Sequence, residues 1–533
     1  MTTRSHITKI LAATVAAAFL SSCQIAPSAT QSFDWPSDGP PGGGGNIAIA
    51  GTTELTSLEP SEAGAASHAI PVMRNVFQPL LTRNTETSEI EPLLATEWRA
   101  DDDRHWTFTL RDGVTWHDGT PFTAENAARS LTYIWDPELT YSSNYVDGAA
   151  TFTALDDRTL KVELGQFDPL FEARMAVLPL ASPTQIAERP ESLATQPIGT
   201  GPYQFVSWNP GRDVRLELYP ESWLAEPGMF DTVEWVFLQE NQVRAQKVQT
   251  GEADIALGTS DQQCRTSAVD GATCIDVTSN GIRYLRIDQH HQTMLADPRI
   301  RQAIAYAIDR AGIATTFMTE QTEVADNPGP PAMSGYATDV GFEHDQDKAS
   351  QLVEQAAGDG VDISIPLTVK YRVGMFPDVD DIAQTIVTNL NAVGLNAAVG
   401  AESETEGLDQ YRQTFGGKTI EDIPQDRGWL FLARTSSELF DLSQPAGSIL
   451  ECDGRFSVYC NEDFETQLDA AKALTGQART TALEQLWRTF YSEQVPMLPL
   501  IKVSDKYLLS PRVRITPRAD MFLPLHEARA AQS

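Results

Sequence analysis

Hydrophobic and polar positions follow two rhythms along this chain, and the point where one gives way to the other divides it. Over the first half, short alternating runs predominate. Residues 46–50 read as a short apolar strand, 51–60 as a turn-rich stretch and 67–78 as a helix. Trp106-Thr107-Phe108-Thr109-Leu110 alternates as a half-buried strand does, and Thr123 stands where a cap precedes a helix running through 127–134. Asp156-Asp157-Arg158 marks a hairpin turn between strands 151–155 and 159–164, and a helix is expected near 171–178. Asn209-Pro210-Gly211 turns a second hairpin within 203–218, before a strand at 233–238 and a helix at 241–250. From Ile282 the rhythm changes to strand, helix, helix: 284–287, 298–310 and 347–357, then a strand at 367–371 and a helix at 380–393. The chain ends with helices at 462–473 and 479–493 and strands at 496–501 and 507–509. Alternation of this kind predicts an α/β lobe.

The first fifty residues follow neither rhythm. Arg4 and Lys9 precede an apolar run at 10–20, then Leu20-Ser21-Ser22-Cys23. This is the plan of an export signal over 1–22, and the run is too short to span a bilayer. A cysteine at the end of such a run resembles a bacterial lipobox, in which Cys23 is lipidated and becomes the new N-terminus; a plain signal with an incidental cysteine is the alternative. Residues 23–45, rich in Ser, Pro and Gly, read as a flexible tether.

Length changes the picture next. A chain of 533 residues exceeds one ordinary core, and 41% hydrophobic residues with 32 prolines and 35 glycines describe a globular, loop-rich protein of two or three units. Loss of the signal leaves 37 basic against 73 acidic side chains, a surface that repels nucleic acid and anionic lipid and reads as a solubility device. Of five cysteines, four form close pairs, Cys264 with Cys274 and Cys452 with Cys460. Disulfides suit an exported chain. Zinc is the rival reading, disfavoured because neither pair has C-x-x-C spacing or a neighbouring histidine.

Catalytic patterns are scarce. There is no G-x-S-x-G elbow and no H-E-x-x-H helix, and Gly199-Thr200-Gly201-Pro202 leads into a strand rather than a helix, so it is a tight turn and not a phosphate loop. The adjacent His290-His291 reads as an exposed loop pair rather than a metal site, because neighbours on a strand point to opposite faces. His117, between the turn dipeptides Asp112-Gly113 and Asp118-Gly119, reads as a packing or hydrogen-bonding residue. No cofactor and no metal is expected.

EPLLATEW at 91–98 and TFTLRDGVTWHDGTPFTAENAARSL at 107–131 resemble the family 5 extracellular solute-binding proteins, the dipeptide and oligopeptide binders of ABC importers. PIGTGPYQF at 197–205, VRAQKVQTGEADIA at 243–256 and DPRIRQAIAYAIDR at 297–310 follow in the family's order, so the resemblance covers about 46–510. It implies an α/β, two-lobed periplasmic-binding-protein fold, class II-like and of the large peptide-binder type, with an extra subdomain inserted in lobe I. Lobe I is then 46–80, 198–281 and 492–533 with the C-terminal tail, the insert 81–197, and lobe II 282–491. The implied role is to capture a peptide or related small solute by hinge closure and deliver it to the permease and ATPase subunits of the importer. The protein is then a periplasmic monomer, held to the membrane only through lipid on Cys23.

In the peptide-binding relatives an arginine at or next to the place of Arg372 meets the ligand carboxylate, and a tryptophan followed closely by an aspartate supplies the partner of the peptide amine. Here Trp429 is followed by Leu430-Phe431-Leu432-Ala433-Arg434, so that partner is absent unless Glu438 or Asp441 substitutes. The candidate ligand contacts are Arg372, Trp429, Arg434, Thr52 and Glu54. An opine, a sugar derivative, a metal complex or haem competes with a peptide as the ligand. A secreted hydrolase is the reading from a different class.

Overall fold

The computed structural model describes residues 44–52, 54–63, 69–84, 87–136, 139, 145–146, 148–289, 293–318, 323–403, 429–454 and 456–531. The expected signal, Cys23, the tether up to residue 43 and His290-His291 lie outside the described residues.

In chain order the strands are β1 (Asn46–Gly51), β2 (Leu81–Arg83), β3 (Ile90–Pro92), β4 (Ala95–Ala100), β5 (His105–Leu110), β6 (Ala150–Ala154), β7 (Thr159–Leu164), β8 (Tyr203–Asn209), β9 (Asp213–Leu218), β10 (Thr232–Phe237), β11 (Ile255–Leu257), β12 (Thr273–Ile287), β13 (Leu367–Arg372), β14 (Ala397–Glu402), β15 (Trp429–Ser436) and β16 (Met497–Leu509), with a short final pair, β17 (Val513–Arg514) and β18 (Arg529–Ala530). One mixed sheet runs β14-β13-β15-β12-β16-β11-β1-β10-β9-β8. A separate antiparallel sheet, β4-β5-β7-β6, packs on the helix Ala124–Ile134, whose first turn is capped by Thr123 accepting from the Asn126 amide.

Three large hydrophobic cores divide the described residues, beside a smaller cluster that gathers Ala50, Ala245, Val248, Ala256, Cys264 and Leu508. One gathers Ile47 to Val277 with Tyr507 to Ala528 around β1 and β8–β11. A second joins Leu80 to Leu180 on the smaller sheet and takes in Leu439. The third runs from Ile282 to Ile501, past residue 491, and sandwiches β13–β15 between helices. Among the described residues only β12 and β16 extend through both the first core and the third. Val277 packs in the first and Ile282 in the third; Ile501 packs in the third and Tyr507 in the first.

These two strands are longer than the sequence pattern suggests. The expected strands 284–287, 496–501 and 507–509 are pieces of a 15-residue β12 and a 13-residue β16. Polar residues broke the apolar pattern, Thr278-Ser279-Asn280-Gly281 in one strand and Ser504-Asp505-Lys506 in the other, where each passes between cores. β15 carried no expectation, because its residues run apolar without alternation, as a strand covered on both faces does. The helix expected over 298–310 is two helices, Pro298–Ala307 and Arg310–Phe317, since the Asp309 carboxylate accepts the Gly312 amide at 2.8 Å and caps a new start.

Both local cysteine pairs are disulfides. Cys264–Cys274 ties the helix Asp261–Ser267 to β12, and Cys452–Cys460 closes a loop after the helix Ser443–Leu450.

Candidate ligand-binding cleft

In open sheets with parallel strands, ligands gather outside the carboxyl ends of those strands. Here two such ends face each other. β1 and β11 are parallel and end at Gly51 and Leu257, leading into Thr52 and into Gly258-Thr259-Ser260-Asp261. β13 and β15 are parallel and end at Arg372 and Ser436, the first leading into 373–378 and the helix Val379–Ala392, the second into 437–442 and the helix Ser443–Leu450. The Asp261 charge acts on Asp378, whose carboxyl is raised above the usual range chiefly by burial, with Asp381 and Asp261 adding to it and Arg283 opposing. Arg244 braces the first wall, donating from Nε to the Leu257 carbonyl at 2.7 Å and from Nη2 to the Gly258 carbonyl at 2.5 Å.

The floor between the walls is the crossing of β12 and β16. Thr278 pairs with Ser504 and Ile282 with Lys502, so Ser279, Asn280 and Gly281 together face Val503. Extra residues on one strand bend it and interrupt the ladder. The freed groups bond elsewhere: the Asn280 amide donates to the Ala519 carbonyl at 3.0 Å, and its Nδ2 donates to the Ser437 carbonyl at 3.0 Å. Gly281 is required by crowding, since a Cβ there would stand 2.6 Å from the Thr435 carbonyl.

The residues singled out from sequence fall in different places. Arg434 is held by Asp505 in a two-pronged pair at 3.2 and 3.0 Å, with Ser279 Oγ at 3.4 Å. The register, Tyr371 with Leu432 and Arg283 with Arg434, sets Arg372 beside Ala433 and the Arg283–Arg434 pair one rung further, two rungs short of the end of the β12–β15 ladder. Alternation turns Arg372 to one face and the other two to the opposite face. The half-buried Arg372 makes no side-chain hydrogen bond or ion pair among the described residues. Trp429 lies at the amino end of β15, 2% exposed, its ring 5.5 Å from that of Phe431 and beneath Arg286 and Lys370; it is core, about 16 Å along the strand from Arg434. Thr52 borders the first wall, and its methyl fills the space beside Gly258. Glu54 is turned away, accepting the Gly211 amide at the β8–β9 turn.

The two acids considered as amine partners differ. Asp441 is buried and saturated by Arg479, at 2.8 and 3.0 Å, and by the Ser443 amide at 2.9 Å. Glu438, 5% exposed, accepts only hydroxyls: Tyr145 of the smaller-sheet unit on one oxygen and Ser436 Oγ at 3.4 Å on the other, with no ion pair among the described residues. Next to it Arg83 donates to the Leu439 carbonyl at 3.2 Å and stacks 4.8 Å from the Phe440 ring centre, and burial pushes its guanidinium down to about 10. The smaller-sheet unit therefore reaches residues 438–440 just beyond the end of β15. Sequence reasoning missed Arg283, Asn280, Tyr145 and Arg83; the available signal was the interruption at Ser279-Asn280-Gly281.

Residues 89–420 match the family described as Bacterial extracellular solute-binding proteins, family 5 Middle. The chain belongs to this family. A glutathione-binding protein, GsiB of Pectobacterium atrosepticum, is 26% identical over 314 residues, 58% of this chain and 60% of that protein. The match thus spans about three fifths of the curated relative's length. Among solved structures, a dipeptide-binding protein from Pseudoalteromonas sp. SM9913 in complex with Met-Leu is 20% identical with a TM-score of 0.78, covering 91% of this chain and 100% of that one. AgaA of Agrobacterium tumefaciens R10 in complex with agropinic acid is 18% identical with a TM-score of 0.77, covering 92% and 99%. The fold is accordingly the two-lobed α/β fold of periplasmic peptide-binding proteins.

The motifs that mark this family member are architectural. Gly199 and Gly201 let the turn press on the end of the helix Ile70–Val76, since a Cβ would stand 1.9 Å from the Val76 carbonyl at the first and 2.3 Å from the Asn75 carbonyl at the second. His117 locks the same turn: the Gly199 amide donates to Nδ1 at 3.3 Å, so Nε2 carries the proton and donates to the Gly201 carbonyl at 3.0 Å. Burial holds this imidazole neutral, down to about 4.

Proposed function

We propose that this protein captures a small peptide or a related solute between two closing lobes and delivers it, chemically unchanged, to the permease and ATPase subunits of an ABC importer. It does so as a periplasmic monomer tethered through lipid on Cys23. The lobes are the units built on β1 with β8–β11 and on β13–β15, and the smaller sheet is an insert in the first. The observation that carries the reading is the meeting of the two sets of carboxyl strand ends above the bulged crossing of β12 and β16. Two strands joined by one bulge form a hinge that lets the walls approach.

Glu438 takes the cationic end of the solute. A buried carboxylate bonded only to hydroxyls gains most from an added ammonium group. The family's glutathione and dipeptide binders support a peptide as the class. A blocked or sugar-linked solute such as an opine is favoured by one observation, the run Leu430 to Ala433 where an aspartate would follow Trp429.

Thermal denaturation of the solute-free head tests the reading. Saturating glutathione, Met-Leu or agropinic acid stabilises it by about 2.7 kcal/mol at one hundred times Kd for whichever class is correct. No stabilisation by peptides or opine would remove the cleft as their site.

A further inference from the structure

Deeply buried arginines elsewhere among the described residues donate to oxygen acceptors. Arg479 is held by Asp441, Arg174 by Asp168 at 2.5 Å and Arg310 by Asp326 at 2.8 Å. Arg301 donates to the Gln494, Leu295 and Ala296 carbonyls.

Arg283 differs. It is 5% exposed and stands on β12 two residues past the bulge, beside Arg434 on the same face. Its one hydrogen-bond partner among the described residues is the Met318 sulfur, 3.5 Å from Nη1, and Nε has none. A guanidinium carries five N–H donors in a planar fork. Phe376 covers one face of that plane, 4.2 Å from its ring centre, and leaves the edges free. Asp505 is engaged by Arg434, and Asp378 lies within electrostatic reach without forming an ion pair. A buried cation without an anion is unfavourable. Burial, with Arg434 adding to it, accordingly pushes this guanidinium down to about 9.

We propose that Arg283 is the anion receptor of the cleft, its free edge taking a carboxylate of the captured solute. The inference rests on the reading of the cleft as a solute site, and it assigns the anionic end to the crossing strand rather than to Arg372. With Glu438 beyond the end of β15, the site then selects solutes carrying both an ammonium and a carboxylate. The Phe376 ring fixes the plane of the fork, so a planar two-oxygen anion fits better than a single charged point.

Calorimetry with the solute-free head tests this, using Met-Leu, trialanine and glutathione, each as the free acid and as the C-terminal amide. The wild-type protein is expected to prefer at least one free acid over its amide by at least about 30-fold, and Arg283→Met to bind the two forms equally. Without ligand, Arg283→Met is expected to melt at the same temperature as wild type or higher, because an unpaired buried charge has gone. A preference kept in Arg283→Met overturns the inference while leaving the solute site standing. So does a variant that melts lower or fails to fold, since an arginine needed for folding is not one waiting for a ligand. A folded wild type that binds none of the probes removes the peptide reading itself, and this inference with it.

Discussion

Two acids three residues apart, Glu438 and Asp441, show what burial alone does not decide. Both are nearly inaccessible, but one is matched by Arg479 and the other is not. Removing one partner of a buried pair strands the other charge, so Asp441→Ala is expected to cost about 3 to 5 kcal/mol in urea denaturation. Glu438→Gln keeps the hydroxyl contacts and is expected to leave stability within about 1 kcal/mol while abolishing any preference for a free amine in the ligand. Equal stability losses in the two variants would make Glu438 structural. His117 makes a pH prediction. Its folded pKa of about 4 lies below the ordinary 6.5, so between those values the unfolded chain binds the extra proton. Stability therefore falls as pH drops from about 6.5 to about 4, by up to about 3 kcal/mol from this group. His526, also pushed down to about 4 by burial and by Arg518 and Arg529, acts in the same direction. Urea denaturation at pH 7 and pH 5 should show a shallower dependence in His117→Asn than in wild type; equal dependence would mean that the imidazole titrates normally.

At the scale of elements, the sequence was most legible where one face of an element is buried and the other is not. Trp106 to Leu110, the Thr123 cap and the helix Glu462–Lys472 follow their patterns closely. It was least legible at the crossing, because β12 and β16 change from one core to another through polar residues, and a period-2 signal does not survive that change. The candidate site suffered for the same reason. Arg434 and Thr52 lie at the cleft, Trp429 is core at the far end of its strand, and Glu54 serves a turn. Arg283 reads in sequence as one more polar residue in a strand, and only the register with Arg434 reveals its place. The Cys264–Cys274 bridge belongs to this scale too, since it pins the helix that starts at the first wall to β12. Cys264→Ser with Cys274→Ser is expected to lower unfolding free energy by up to about 3 kcal/mol for a loop of this length. An unchanged denaturation midpoint would mean that the wall is held by packing alone.

Over the whole molecule, the first and third cores share one continuous sheet, and the proposed solute site lies where that sheet passes from one to the other. A net charge of −34 keeps such a surface soluble and away from anionic headgroups. Family membership and the facing strand ends both support the proposal that a small molecule is captured here. Native mass spectrometry of the protein purified from its own host, followed by denaturation and identification of what is released, tests this most directly. The account predicts a small bound solute of defined mass, released intact and carrying both an ammonium and a carboxylate. A protein with no bound solute that also takes up none of the peptides or agropinic acid, or one that returns a solute chemically altered, would contradict it.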